Sequence, residues 1–444
     1  MNEYTISAHR VSDRRLAYTW TPNPFPTAPD TLWVEYPFDV ARIAGLDVFY
    51  PVLPLFLALG FADSRFHLVS RLSDPLTTAD SGSPFLQVLA NWLDIVEAEA
   101  IENFGKTIHV EADVDGQLVE RGAAGRAPAQ SPGPGIALFL GGGAESLLAL
   151  AQLTEQKLKP HLISYLGPGW IGSDPAKNEN KVAMDQLVAR ELGLELHHVR
   201  SNMYGLFAQM QPGLWEHMVV KAFFVNRVPF TPMLVSLFAP MSNVYGLGTV
   251  YHGHEKHFEP DTTFHCFTKT FTDKLARCVA PQFSYRRILG ELPKVDVFEN
   301  LCTKHPGFLK YQYSCYNNEH ERWCLRCEKC VRYYILFKLF DAPLDIVEFD
   351  EVRMLKNFAG IHTDIASHVW SDRYSRACYS GILSKARARG KNDVHEFLSG
   401  LIREAKRIER KNRAQALLRP LVPKPLKRLA KSVLTEPPRG TAHA

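Results

Sequence analysis

The stretch Ile136–Leu153, IALFLGGGAESLLALAQL, decides how the rest of the chain is read. The apolar run Ile136–Leu140 has the length and composition of a strand buried on both faces. Gly141, Gly142 and Gly143 follow at once, and Ala144-Glu145-Ser146 leads into LLALAQL, which reads as a helix. Strand, tight glycine turn and helix in this order open a βαβ unit. The alternation continues downstream. His161–Tyr165 (HLISY) is a second strand, Lys181–Leu192 a helix and Leu194–Val199 (LELHHV) a third strand. Met233–Pro240 reads as a short apolar helix and Asn243–Tyr251 as a further strand. Strands alternating with helices predict an α/β fold with a parallel sheet covered on both faces.

Working outward, Val119–Gly135 (VERGAAGRAPAQSPGPG) is rich in Gly, Pro and Ala and reads as a linker. It separates an expected N-terminal α+β domain, 1–118, from the α/β domain, 136–345. Within 1–118, Val48–Leu59 is apolar and proline-punctuated, and Pro84–Phe104 has helical periodicity through Leu86, Leu89, Trp92, Leu93, Ile95 and Val96. A helical extension is expected over 346–410, and 411–444 as a basic, partly disordered tail. The net charge of +4 over 444 residues conceals an asymmetry. Leu401–Ala444 holds 12 Lys/Arg against 3 Asp/Glu, leaving the remainder at −5. A mildly acidic body argues against specific nucleic-acid binding, while the tail could make weak contact with anionic surfaces. The start MNEYTISAHRVSDRR has no apolar signal core, and Leu46–Ala62 is too interrupted by Asp47, Pro51 and Pro54 to span a membrane. A cytoplasmic location is the expectation, with oligomerisation left open.

Of the eight cysteines, Cys315, Cys324, Cys327 and Cys330 fall within sixteen residues, in the stretch Ser314–Cys330 (SCYNNEHERWCLRCEKC). Four thiolates complete a tetrahedral Zn²⁺ with no open position, which is the arrangement of a structural site. Disulfides, an iron–sulfur cluster and clustered buried thiols are the other readings. Cys266, Cys278, Cys302 and Cys378 read as buried small hydrophobes.

Glycines where a strand hands over to a helix let backbone approach a phosphate, and the helix N-terminus offers N–H donors with a positive dipole end. A tight turn without a ligand would use glycine too. GGGAES after an apolar strand resembles the S-G-G-x-D-S pyrophosphate loop of the N-type ATP pyrophosphatases, the PP-loop or adenine nucleotide α-hydrolase-like superfamily. The C-x8-C-x2-C-x2-C spacing and the Ser314-Cys315-Tyr316 start resemble the zinc site of its 7-cyano-7-deazaguanine synthases. The resemblance covers about Gly135 to Phe340. Gly141 stands in place of the superfamily's serine and Glu145 in place of its aspartate; Val228-Pro229 is followed by Phe230 and Thr231 rather than polar residues. These departures imply a branch with its own substrate.

The resemblance implies ATP, Mg²⁺ and structural Zn²⁺ as cofactors, and adenylation of a small-molecule carboxylate with release of pyrophosphate. It implies catalytic roles for Glu145, Ser146, Lys269 and Arg286, and nucleotide binding by Gly141, Gly142, Gly143, Ser146, Gly253 and Glu255, with Tyr165 and Leu166, at the end of the second strand, near the adenine because ligands collect at the carboxyl ends of parallel strands. The cluster Gly253–His257 (GHEKH) has three readings: a solvated charged loop, a metal site using His252, His254 and His257, or a phosphate- and carboxylate-binding region completed by Lys269, Arg286 and Arg287. A longer relative, the ATP-dependent epimerase of UDP-N-acetylmuramoyl-L-alanyl-L-glutamate, looks similar in its glycine loop and W-C-x-R-C-x-K-C stretch (Trp323–Cys330), and implies inversion of an adenylated glutamate. Amide or nitrile formation, including in a defence-associated member, and a non-catalytic nucleotide-binding zinc scaffold are the alternatives.

Overall fold

The computed structural model describes residues 1–25, 28–59, 62–72, 84–120, 133–167, 175–207, 209–210, 230–254, 269–279, 283–290, 292–315, 322–369 and 373–418. The first half supplies β1 (Asn2–Ser12), β2 (Arg15–Thr21), β3 (Thr31–Glu35), β4 (Ser64–Ser70), β5 (Val110–Val114) and β6 (Gln117–Leu118). The second supplies β7 (Gly135–Phe139), β8 (His161–Leu166), β9 (Leu196–Ser201), β10 (Leu247–His252) and β11 (Ser284–Arg287). All join one mostly parallel sheet in the order β11-β10-β7-β8-β9-β3-β2-β1-β4-β5-β6, so the fold is α/β.

The expected boundary between residues 1–118 and 136–345 is not a break between two sheets. β3 pairs antiparallel with β9, Val34 opposite Ser201 and Glu35 opposite Arg200. The join is reinforced by the side chains of the last residue of β9 and the one after it. The Asn202 amide oxygen accepts from Trp33 N at 2.8 Å, its NH₂ donates to Thr31 O at 2.9 Å, and Ser201 Oγ donates to Trp33 O at 2.8 Å. The compact units are accordingly Met1–Asn357 and Phe358–Ala444. Most of the expected linker lies outside the described residues.

Within the second half the parallel strands run β11-β10-β7-β8-β9. Numbered in chain order this is the doubly wound 3-2-1-4-5 pattern read from the far edge, with its reversal between β7 and β10. Side chains alternate between faces. Ala137, Phe139, Ile163, Val199 and Val250 share one apolar layer with helices Leu53–Leu59, Pro84–Phe104, Phe230–Tyr245 and Lys269–Cys278. The helix Pro84–Phe104 contributes Phe85, Val88, Leu89, Trp92, Leu93 and Val96, all buried at helical spacing. On the opposite face Ser164 and His198 meet helix Pro175–Leu192.

The helix expected over Met233–Pro240 runs Phe230–Tyr245 and absorbs the start of the strand expected from Asn243. The chain leaves the helix at Gly246, whose φ of +65° suits the position just past a helix end, and β10 begins at Leu247. In the second unit, helices Arg373–Ala388 and Asn392–Leu418 bring together Tyr379, Ile382, Leu398 and Leu401 in their buried faces, and Arg376 pairs with Glu409 at 3.3 Å. Among the described residues, no helix is long and apolar enough to cross a membrane.

Candidate functional site

The turn Gly141–Gly143 leaves the carboxyl end of β7 and enters helix Ala144–Glu155. Gly253 leaves the same end of its neighbour β10. The two loops therefore flank the point where strand order reverses, the place where doubly wound sheets collect ligands. Their approach is close: a Cβ on Gly253 would lie 2.4 Å from Glu145 O and 2.7 Å from Glu145 C, so backbone packs on backbone there. A Cβ on Gly141 would meet no atom of the described residues within 4 Å. Gly143 is the N-cap and has no side chain to cap the helix, so that position leaves the first N–H groups and the positive end of the helix to other partners.

Gly142 is the most constrained residue of the turn. It adopts φ +73°, and its carbonyl accepts from Tyr313 N at 3.1 Å, Ser314 Oγ at 3.4 Å and Gln312 Nε2 at 3.5 Å. Ser314 Oγ in turn accepts from Tyr333 Oη at 2.8 Å and Gln312 Nε2 at 3.0 Å. Tyr313 is tied beneath the turn. Its hydroxyl accepts from Lys181 Nζ at 2.8 Å and donates to Asp185 Oδ1. Lys181 also reaches Asp185 Oδ2 at 2.9 Å and Leu140 O at 3.4 Å, while Ser164 donates to Asp185 at 2.5 Å and His198 approaches it at 3.3 Å. Burial alone pushes the Asp185 carboxyl up. The Lys181 ammonium and the hydrogen bonds from His198, Ser164 and Tyr313 outweigh it, holding the group below its usual range. Burial, then the Asp185 charge, pushes the Tyr313 hydroxyl well above its ordinary value.

Directly after Ser314 come the four cysteines. Cys315 Sγ lies 3.9 Å from Cys327 and 3.6 Å from Cys330; Cys330 lies 3.8 Å from Cys324 and 3.6 Å from Cys327. A tetrahedral Zn²⁺ with Zn–S bonds of about 2.3 Å needs sulfur–sulfur edges of about 3.8 Å. The four are therefore placed to hold a metal ion. The described cysteines form no disulfide among themselves. Backbone donors support the sulfurs: Cys324 N to Cys315 Sγ at 3.3 Å and Cys330 N to Cys327 Sγ at 3.4 Å. Crowding divides the protons unequally. Hydrogen bonding led by Cys315 brings the Cys327 thiol down to about 7 and the Cys324 thiol lower still, whereas their neighbours push Cys315 and Cys330 up. Four sulfurs this close can hold a cation among them, and binding it would release the remaining thiol protons. Helix Glu328–Leu339 starts on Cys327, and Trp323 anchors the cluster by donating to Val347 O at 2.7 Å.

Comparison with protein-family models, with curated proteins and with solved structures finds no match to this chain. Function must therefore be argued from the geometry.

The sequence-predicted residues fare differently. Glu145 forms an ion pair with Lys294, the first residue of helix Lys294–Lys304. The Ser146 hydroxyl, expected to face phosphate, donates to Gly143 O at 3.1 Å. Tyr165, expected beside adenine, donates its hydroxyl to Leu234 O at 2.7 Å and packs edge-on to Phe139; Leu166 is buried. Arg286 is exposed on β11 opposite Tyr251 and lies 3.4 Å from Ser284 Oγ. His252 is buried against Tyr285 Oη at 3.0 Å, and Arg287 Nη2 lies 3.2 Å from His254 Nδ1. Glu255 and His257 fall outside the described residues, and Lys269 is described only as the start of its helix. Lys181, Asp185, Lys294, Tyr313 and Tyr333 were not singled out from sequence. Of these, only Lys181 and Asp185 carried a local signal, an i,i+4 opposite-charge pair.

Proposed function

We propose that this chain is a PP-loop-like enzyme that binds ATP at the glycine turn, adenylates a substrate carboxylate and releases pyrophosphate. The observation that carries this reading is the fixing of the Gly142 carbonyl by three donors from Gln312–Ser314, the segment leading into the cysteine cluster, at the point of strand reversal. A turn held this firmly, with its uncapped helix end presented and no Cβ at three consecutive positions, suits a preorganised anion cradle.

In this reading the backbone of Gly142 and Gly143 cradles the departing phosphates, and Lys294, paired with Glu145, brings a cation to the turn. A carboxylate oxygen attacks the α-phosphorus, the bond to the α–β bridging oxygen breaks, and its electron pair leaves with pyrophosphate. Glu145 is the carboxylate at the turn that would hold a Mg²⁺ brought with the nucleotide, and such an ion would supply neutralisation of phosphate charge. Zn²⁺ on Cys315, Cys324, Cys327 and Cys330 holds Gln312–Ser314 in place; a closed tetrathiolate has no position for substrate. In this reading Arg286, exposed on the edge strand β11, is the arginine that meets an anionic substrate. The specific reaction proposed is epimerisation of the terminal L-glutamate of UDP-N-acetylmuramoyl-L-alanyl-L-glutamate. Capture of the same adenylate by ammonia, on a deazapurine or another carboxylate, is the alternative.

A second reading, a nucleotide-binding zinc scaffold without chemistry, draws on two contacts: Ser146 turned toward Gly143 O and Glu145 neutralised by Lys294. Pyrophosphate–ATP exchange separates them. Exchange that requires the UDP-linked glutamyl peptide supports the epimerase, and exchange with another carboxylate supports the ligase. ATP binding without exchange under any carboxylate leaves the scaffold, and absence of ATP binding refutes both.

A further inference from the structure

A second set of metal-ligand side chains lies at the opposite ends of the strands. His161 is the first residue of β8, His197 is the second residue of β9, and Glu195 immediately precedes β9. In the parallel register His197 lies opposite Ile163, so His161 and His197 project from the same sheet face. Glu195, two residues before His197, has the same parity.

Their donor atoms converge. His161 Nδ1 lies 3.0 Å from His197 Nε2 and 3.4 Å from Glu195 Oε2, and His197 Nε2 lies 3.7 Å from Glu195 Oε2. The nearest point equidistant from three atoms with these separations lies about 2.0 Å from each, matching zinc–imidazole and zinc–carboxylate bonds of about 2.0–2.2 Å. Two imidazoles and one carboxylate form a donor set for a divalent first-row transition ion. We infer that His161, Glu195 and His197 form a second metal site, separate from the cysteine cluster and taking Zn²⁺ or a similar divalent ion.

The surroundings suit this role. The His197 side chain is 9% exposed and packs on Tyr245 with ring centroids 4.3 Å apart, whereas the Glu195 side chain is 68% exposed and opens the cluster to solvent. The two ring planes lie 11° apart, and the facing nitrogens are within hydrogen-bond distance, one of them donating. An arriving ion takes the place of that proton, and the proton moves to the far nitrogen of its ring. With three protein ligands, water completes the coordination. The ion staples the start of β8 to the approach to β9. At the strand ends remote from Gly141–Gly143, it takes no part in adenylation, and the inference stands whether or not that proposal does.

The test is metal stoichiometry of the full chain, stripped with chelator and titrated with Zn²⁺, and separately with Co²⁺. Wild type should bind two equivalents. Co²⁺ at the cysteines gives an intense thiolate charge-transfer band; the second equivalent should add only weak visible bands. Glu195→Gln and His161→Gln should keep the thiolate band and weaken the second equivalent by at least about tenfold, since loss of even an outer-shell partner typically costs about 10–100-fold. Because Glu195 is exposed, its variant should fold as wild type does, checked by circular dichroism without metal. A single equivalent in wild type, or a second unaffected by either substitution, overturns the inference.

Discussion

Replacing Gly142 by alanine probes the coupling between turn and cysteine cluster most directly. At φ +73° a residue with a Cβ is strained by about 1–2 kcal/mol. The new methyl would also sit 2.2 Å from Tyr313 Cζ, 2.3 Å from Cε1 and 2.8 Å from Cδ1. The ring cannot swing aside freely. Its hydroxyl is held by Lys181 and Asp185, and its own N–H is bonded to Gly142 O. Overpacking of this kind costs about 1–3 kcal/mol. Together Gly142→Ala should lose about 2–5 kcal/mol, read as a lower urea midpoint at unchanged slope. The two contributions can be separated. In a Tyr313→Ala background the clash is gone and only the backbone cost of about 1–2 kcal/mol should remain, giving a coupling of about 1–3 kcal/mol. A Gly142→Ala protein within about 0.5 kcal/mol of wild type would refute the argument, since that is the range of an ordinary surface substitution.

Removing the metal from the cysteine cluster, by chelation or by Cys324→Ser, should loosen Gln312–Cys315 and speed protease cleavage near it; a variant without zinc that is folded, protected and fully active would show that the cluster does not support the turn. Asp185→Asn leaves Lys181 buried without its counter-charge and should cost about 3–5 kcal/mol at pH 7. Asp185 titrates below its usual value when folded, so the unfolded chain binds its proton more readily. Its contribution is complete above about pH 4 and is lost as pH falls through the native value. Urea midpoints compared at pH 7 and pH 3 should therefore fall less in Asp185→Asn than in wild type, and an equal fall would contradict the assignment. Lys294→Ala unpairs the partly buried Glu145 and should reduce pyrophosphate exchange by at least about tenfold, in the range for loss of a positioned catalytic donor; Glu145→Ala with full ATP turnover would remove that residue from the site.

Much of the fold was legible because its signals are local. The helix Pro84–Phe104 has the predicted bounds, since its buried residues recur at helical spacing. The strands at Ile136, His161 and Leu194 match β7, β8 and β9 within two residues, because short apolar runs bounded by polar and glycine residues leave little choice. The helix expected over Met233–Pro240 extends further at both ends. Proline sits inside the helix here, and the chain turns only at Gly246, where positive φ is required. The adenine role given to Tyr165 came from its place at a strand end; its hydroxyl is taken up by Leu234 O, a contact spanning sixty-nine residues that no local pattern encodes.

The cysteine cluster was readable from sequence because all four ligands fall within sixteen residues, and metal coordination depends on donor type and short-range reach. The glycine turn was readable because only glycine tolerates such backbone between strand and helix. What joins them is tertiary. The bonds from Gln312–Ser314 to Gly142, the Lys294–Glu145 pair and the Tyr313–Lys181–Asp185 network span from 128 to 172 residues. The pairing of β3 with β9, which merges the two halves into one sheet, is equally non-local. Local propensity and spacing specify which elements and ligands form. Which edge pairs, which carbonyl is gripped and which charge is buried depend on long-range burial and hydrogen-bond satisfaction, and these exist only once the chain has folded.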